Sequence, residues 1–474
     1  MKYDIIVIGA GSAGLNVASF MNTIGLKVLL VEKGLIGGDC LNYGCVPSKA
    51  LISMAHTIRC AQLAGKFGIH PVGSLQMDKV ADTIRQRQDF IRVHENAGYF
   101  RGRGIDVEIG SPEFTAKNTI KINDRECTAR RIVIATGSRP ALPPIEGLDR
   151  VDYLTNETIF ANRQLPKKLL VIGGGPIGIE MAQAYQQLGS QVTVLVRGRQ
   201  ILPKEDTDIA GILLRVLQDE GMDIRLGFIP VRFPDPHTLV VQQYDKQQRR
   251  RFGEEIVIHF DRVLIATGRK LNVEGLNLKK AGVEVQDGKI KLDQTLRTSN
   301  KRIYCGGDVA GDYLFTHWAE YQAAVVINNM LSPFKKKVDR SRIAWVTYTD
   351  PEVASFGRQG RSLDQEGIKY KTVEIELKEV DRAICEGIEA GKLKLHLSKG
   401  KIIGGTMIAR NAGELSGELI SAMTLGIPFA NLYNRIFPYP TMARINRRAV
   451  QKHLGQKLTP RNKTILNRLY KLLN

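Results

Sequence analysis

The chain carries one glycine pattern twice. Gly9-x-Gly11-x-x-Gly14 follows an apolar run at residues 3–8, and Gly173-x-Gly175-x-x-Gly178 follows another at 169–172. Each run reads as a strand and each triplet as the turn into a helix, ending near residues 24 and 188. Second strands follow at 27–31 and 192–196. Glycine in this setting lets the backbone turn tightly and approach a pyrophosphate at the helix N-terminus. A lone triplet says little. With strand, helix and second strand in place twice, the pattern predicts two dinucleotide-binding βαβ units with parallel sheets. Each unit also closes on Ala-Thr-Gly: Ala135, Thr136 and Gly137 in the first, and Ala266, Thr267 and Gly268 in the second. This pair is the only internal repeat.

The units differ where the second strand ends. Eighteen residues past the last glycine, the first has Glu32 and the second has Val196, with Arg197 and Arg199 beyond it. A carboxylate there binds a ribose hydroxyl and repels a 2′-phosphate, which arginines can pair bidentately. The second unit is therefore expected to take NADPH over NADH. A solvated basic turn is the plainer reading of the two arginines.

After the first unit comes GGDCLNYGCVPSK, residues 37–49. Pro47 suits a first helical position, with a helical pattern over 50–64. Cys45 then lies at or just before a helix N-terminus, where the dipole and Lys49 favour a thiolate. Cys40 and Cys45 suit a reversible disulfide with one nucleophilic sulfur. Two buried thiols that never meet are the alternative. The N-terminus reads as a first strand, not a signal peptide, and the chain has six cysteines. A structural disulfide framework is not expected, and a catalytic pair in a reducing cytoplasm is. No apolar run approaches the roughly 18 residues of a membrane span.

Residues 65–130 contain a helical pattern at 77–98 and no chemistry, with His70, His94 and Cys127 as surface or packing residues. YCGGDVA, with Asp308, precedes a helix at 321–331. A third region starts at Ile343, with strands at 392–397 and 402–409, a helix at 415–425 and the segment FPYPTMARINRRAV. The net charge is +20, and from Met442 onward there are nine Lys/Arg and no Asp/Glu. After Pro460 the spacing is helical. Ile465, Leu466, Leu469, Tyr470, Leu472 and Leu473 gather on one side, and Arg461, Lys463, Arg468 and Lys471 lie largely off it. Such a face needs a receiver: the partner subunit, its own domain or an anionic membrane interface.

Together these motifs resemble the class I pyridine nucleotide–disulfide oxidoreductases over about residues 1–455. GGDCLNYGCVPSK, FTHWAEYQ, DRAICEG and FPYPTM are nearest to mercuric reductase-like flavoproteins. The resemblance implies an α/β fold with two Rossmann-like domains, for FAD and NAD(P), plus a C-terminal α+β interface domain, as a homodimer. The implied boundaries are 1–150 and 281–337 for FAD, 151–280 for NAD(P)H and 338–458 for the interface, with a basic tail at 459–474. It implies that Gly9, Gly11, Gly14 and Glu32 bind the ADP half of FAD and that Asp308 holds its ribitol. Ala135, Thr136, Gly137 and Lys49 also fall on the FAD side. Gly173, Gly175, Gly178, Arg197, Arg199 and Gly268 fall on the NADPH side. Cys45 becomes the flavin-facing thiol, Cys40 the interchange thiol, and Lys49 with Glu180 an ion pair beside the flavin. No resident metal is implied.

The sequence departs from the family in two places. Disulfide reductases carry a His–Glu pair in HPTxxE. Here the segment is Tyr439-Pro440-Thr441-Met442-Ala443-Arg444. Mercuric reductases share the tyrosine but add a vicinal cysteine pair near the C-terminus, whereas this sequence has no cysteine after Cys385. The expected activity is electron transfer from NADPH through FAD to a Cys40–Cys45 disulfide. The acceptors beyond it are Hg2+ or another soft metal ion, a quinone or a small disulfide. A lipoamide-type dehydrogenase with a replaced acid/base is the alternative enzyme. A membrane- or nucleic-acid-associated redox sensor is the alternative class, with nucleic acid the weaker partner. The expected location is cytoplasmic, with membrane association through the tail as an option.

Overall fold

The computed structural model describes all 474 residues. Its contacts form two compact units: Met1–Leu195 with Phe228–Asp339, and Val196–Gly227 with Arg340–Asn474.

At the centre of the first unit is strand Lys2–Ile8. It pairs in parallel with Val28–Glu32, Ile5 beside Val28, and with Arg125–Ile134, Ile5 beside Arg131. Asp106–Ile109 extends the sheet past Val28–Glu32. On Arg125–Ile134, the early residues take the antiparallel hairpin Glu113–Ala116/Thr119–Ile122, and the late residues take Ile303–Cys305 in parallel. Side chains alternate across a strand, so the apolar run 3–8 feeds two cores. Ile5 and Val7 join Val28, Leu30 and Val133 under helices Ser12–Thr23 and Thr316–Leu331. Tyr3, Ile6 and Ile8 join Leu29, Val31 and Ile132 on the opposite face. A strand buried on both faces cannot show polar alternation, which is why Ile5, Ile6, Val7 and Ile8 stand in the sequence as an unbroken apolar run.

The second glycine unit repeats the plan. Lys168–Ile172 lies between Gln191–Val196 and Arg262–Ile265, all parallel, with helix Pro176–Leu188 between the first two in sequence. A three-stranded antiparallel sheet, Phe228–Asp235, Thr238–Asp245 and Arg250–His259, shares its core.

The second unit is built on a five-stranded antiparallel sheet in the order Ala344–Thr347, Glu352–Gly357, Lys401–Ala409, Lys392–Ser398, Lys371–Glu376. Residues 196–227 join it through polar contacts. The buried Glu205 carboxylate accepts from Trp345 Nε1 at 2.6 Å and from the Ser355 hydroxyl. Lys394 reaches Asp206 at 2.8 Å.

Several elements differ from the sequence reading. The redox helix runs Cys45–Leu63, so Pro47 is its third residue, not its first. The first intrahelical bond is Ser48 N to Gly44 O, so the missing proline N–H still costs nothing. The 77–98 pattern splits into Met77–Arg92 and Ala97–Gly102, because the Asn96 side chain accepts from Tyr99 N and starts a new helix. Helix Thr316–Leu331 starts five residues earlier than its apolar periodicity announces. The tail forms helix Pro460–Leu473 with no buried residue. Its own domain is therefore not the receiver of its apolar face. No helix is long and apolar enough to cross a membrane.

Candidate active site

The loop around the cysteines is held from three sides. Gln88, on helix Met77–Arg92, donates to the carbonyls of Leu41 and Asn42, both at 2.9 Å. The Asn42 amide donates to Ile36 O and Gly38 O. Asn156 donates to Asp39 Oδ1 and Tyr43 O, both at 3.1 Å. A loop with its carbonyls bonded in this way presents its side chains in fixed positions.

Cys45 is the first residue of the redox helix, and all six cysteines are free thiols. The Cys40 thiol donates a hydrogen bond to the Cys45 sulfur, the largest cause that pulls Cys45 down to about 6. Burial opposes this, while the Thr316 hydroxyl, 3.5 Å from Cys45 Sγ, and the Lys49 charge support it. The same contact pushes Cys40 well above the ordinary thiol range, so Cys40 keeps its proton. The pair thus holds one thiolate and one thiol. Cys305 and Cys127 are core residues, and Cys60 and Cys385 are exposed.

Lys49, on the first turns of this helix, reaches Glu180 Oε2 at 2.9 Å. Glu180 is on helix Pro176–Leu188 and nearly buried, while the lysine is one-third exposed. A carboxylate this enclosed needs the cation.

The two glycine cradles are near copies. At Gly9, with φ +107°, a side-chain carbon would lie 2.2 Å from Ala135 O; at Gly173, with φ +133°, it would lie 2.2 Å from Ala266 O. Each triplet is thus closed against its Ala-Thr-Gly by backbone alone. At the middle glycines a carbon would meet only Gly38 Cα at 3.7 Å, from Gly11, and nothing within 4 Å, from Gly175. The open space lies at the two helix N-termini, as a pyrophosphate requires. In the first cradle Glu32 accepts from Ala10 N at 2.7 Å and Gly34 N at 2.9 Å, which fixes its carboxylate at the strand end. These residues fit the ADP half of FAD. Arg197 and Arg199 are exposed and follow directly on strand Gln191–Val196.

Asp308 opens a short 3-10 turn after Ile303–Cys305. Burial raises its carboxyl above the usual range, countered by Ser138 and Arg269. Ser138 Oγ donates to Asp308 Oδ2 at 2.5 Å, and Arg269 Nε donates to Ser138 Oγ at 2.6 Å. Arg269 also reaches Asp39 Oδ1 at 3.1 Å. Sequence reasoning missed Thr316, Asp39, Ser138 and Arg269. The repeat did hold a signal for the last two, since each directly follows an Ala-Thr-Gly. Ser138–Pro140 and Arg269–Leu271 pair as a two-stranded ladder.

Tyr439 lies in the second unit, 65% exposed, with the Arg444 guanidinium 5.1 Å from its ring centroid.

Comparison with known proteins gives likenesses along most of the chain. Residues 3–325 match the model of the pyridine nucleotide-disulphide oxidoreductases, and residues 343–449 match their dimerisation domain. A mercuric reductase from Bacillus cereus is 32% identical over 447 residues, covering 93% of this chain and 70% of the relative. A dihydrolipoyl dehydrogenase from Thermus scotoductus is also 32% identical, covering 93% and 95%. The HOCl-induced flavoprotein disulfide reductase RclA of Escherichia coli superposes with a TM-score of 0.83 at 25% identity, covering 95% of this chain and 99% of RclA. The chain belongs to the pyridine nucleotide-disulphide oxidoreductase family, FAD enzymes that draw electrons from NAD(P)H.

Proposed function

We propose that the protein is an NADPH-dependent flavoprotein reductase whose Cys40–Cys45 pair delivers two electrons to a thiophilic metal ion of the Hg2+ or Cu2+ class. The observation that carries this reading is the thiol pair itself: Cys45 opens the redox helix with the Thr316 hydroxyl 3.5 Å from its sulfur, and Cys40 beside it holds it down to about 6. FAD, when bound, supplies two-electron transfer between a nicotinamide hydride and a disulfide. Gly9, Gly11, Gly14 and Glu32 would hold its ADP half and Asp308 its ribitol. Ala135, Thr136, Gly137 and Lys49 would complete that site, and Glu180 would balance the lysine. Gly173, Gly175, Gly178 and Gly268 would seat NADPH, with Arg197 and Arg199 on its 2′-phosphate.

In the first half-reaction NADPH becomes NADP+, and the S–S bond opens to the Cys45 thiolate and the Cys40 thiol. In the second, the S–S bond re-forms and the one thiol proton leaves. The two electrons pass to one Hg2+, giving the metal, or to two Cu2+, giving Cu+. Soft sulfur favours such cations over hard ones. Tyr439 and Arg444 stand where disulfide reductases keep their proton-transfer pair, which lowers the claim of lipoamide or a small disulfide. A mercuric reductase relative and the Cu(II) complex of RclA support the metal reading.

The working form is a homodimer, which the dimerisation-domain match supports. We place it in the cytoplasm, where thiols stay reduced, with peripheral membrane contact through the tail.

The test is anaerobic. NADPH should add two titratable thiols per chain to the oxidised holoenzyme, and Cys45→Ser should add none. The reduced protein is then offered Hg2+, Cu2+, a quinone, lipoamide and glutathione disulfide. Reoxidation by the metals at least about tenfold faster than by the others is the expected result. A quinone or lipoamide in first place would replace the acceptor, and no gain of thiols would remove the mechanism.

A further inference from the structure

The C-terminal helix Pro460–Leu473 is well made and uncovered. Thr459 caps it, accepting from Asn462 N, and Pro460 occupies its first position. At 100° per residue, Ile465, Leu466, Leu469, Tyr470, Leu472 and Leu473 span an arc of about 160°. They are 45–81% exposed. Arg461 and Lys463 flank that arc, and Arg468 and Lys471 lie on the opposite side. Fourteen residues alone form a marginal helix, so the apolar side needs a receiver.

Three observations choose the receiver. The helix lies beyond the dimerisation-domain match, which ends at residue 449, so it is outside the interface the family shares. Residues 442–474 hold nine Lys/Arg and no Asp/Glu, so two copies of this tail would repel one another. The apolar arc bordered by cations has the shape of a helix lying in a lipid interface, with leucines in the acyl boundary and long basic side chains at headgroup level. Nucleic acid would match the charge and leave the leucines exposed to water.

We propose that Pro460–Leu473 docks the enzyme on an anionic phospholipid surface, lying in the plane of the membrane.

The experiment is flotation of the FAD-loaded full chain with vesicles of phosphatidylcholine alone or mixed with phosphatidylglycerol, at low and high salt. The full chain should float with the anionic vesicles at least about tenfold more than with neutral ones, and salt should reduce it. Three variants should each lose at least about tenfold while keeping FAD and dimer mass: a chain ending at Thr459, Leu466→Gln with Leu469→Gln, and Arg468→Glu with Lys471→Glu. The proposal is overturned if the full chain stays unbound on both vesicles or if the shortened chain floats equally. It is also overturned if shortening splits the dimer, since a second copy would then cover the face.

Discussion

The two cradles share a backbone and differ at the strand end. A carbon added at Gly9 or Gly173 would meet Ala135 O or Ala266 O at the same 2.2 Å, and one added at Gly14 or Gly178 would overlap the carbonyl oxygen of the first glycine of its own triplet, at 1.9 and 2.2 Å. Glu32 is pinned by two backbone amides in one cradle, whereas exposed arginines follow Val196 in the other. Glycine makes room for a dinucleotide of any kind. On the function proposed above, the residue at the strand end decides which one is accepted.

The sharpest way to break this comparison is at the middle glycines, where a side chain meets little protein. Gly11→Val should fold yet lose FAD, with the ratio of flavin to protein absorbance falling more than about tenfold, because the valine takes the place of the pyrophosphate. Gly175→Val should stay yellow and lose about a hundredfold in kcat/KM for NADPH. Loss of flavin from the second variant would show that the cradles are not independent.

A smaller effect is expected from Arg197→Glu. It should raise KM for NADPH by about tenfold or more and leave NADH nearly unchanged, since only the 2′-phosphate meets the new charge. A wild-type preference for NADH would remove the distinction between the strand ends.

The smallest effect concerns pH. The alkylation rate of reduced Cys45 should climb as pH passes about 6 and level off above it, following the thiolate. Cys40→Ala removes the largest cause of that lowering, so the midpoint should move up toward ordinary thiols. Lys49→Met should move it less in the same direction. An iodoacetamide rate profile in the reduced protein reads both.

The legible part of this molecule was local. Glycine triplets, apolar strands and strand-end residues lie within about thirty residues of one another, the reach of one βαβ unit. Cys40, Cys45 and Lys49 share one loop and helix for the same reason. Thr316 was hidden because it opens a helix 271 residues further along the chain than Cys45, with nothing local to join the two. Arg269 was hidden because its partners, Asp39, Ser138 and Asp308, come from three distant segments. The tail was half legible. Its helix and faces follow from spacing, but only the folded chain excludes its own domain as the cover.

The ladder between Ser138–Pro140 and Arg269–Leu271 also bears on modularity. This ladder stands apart from the flavin-side sheet, and in it Pro140 and Arg269, the residues that bound the second cradle in sequence, face each other in register. The chain thus enters and leaves that span through one doorway. Closely spaced ends are what permit one folding unit to be spliced into another without disturbing the host. The strands of the second cradle, Lys168–Ile172, Gln191–Val196 and Arg262–Ile265, all lie within that span. An exchange of that span at its two adjoining seams would therefore have to bring its own Asn156, Glu180 and Glu205, because these reach back to the cysteine loop, to Lys49 and to Trp345 and Ser355.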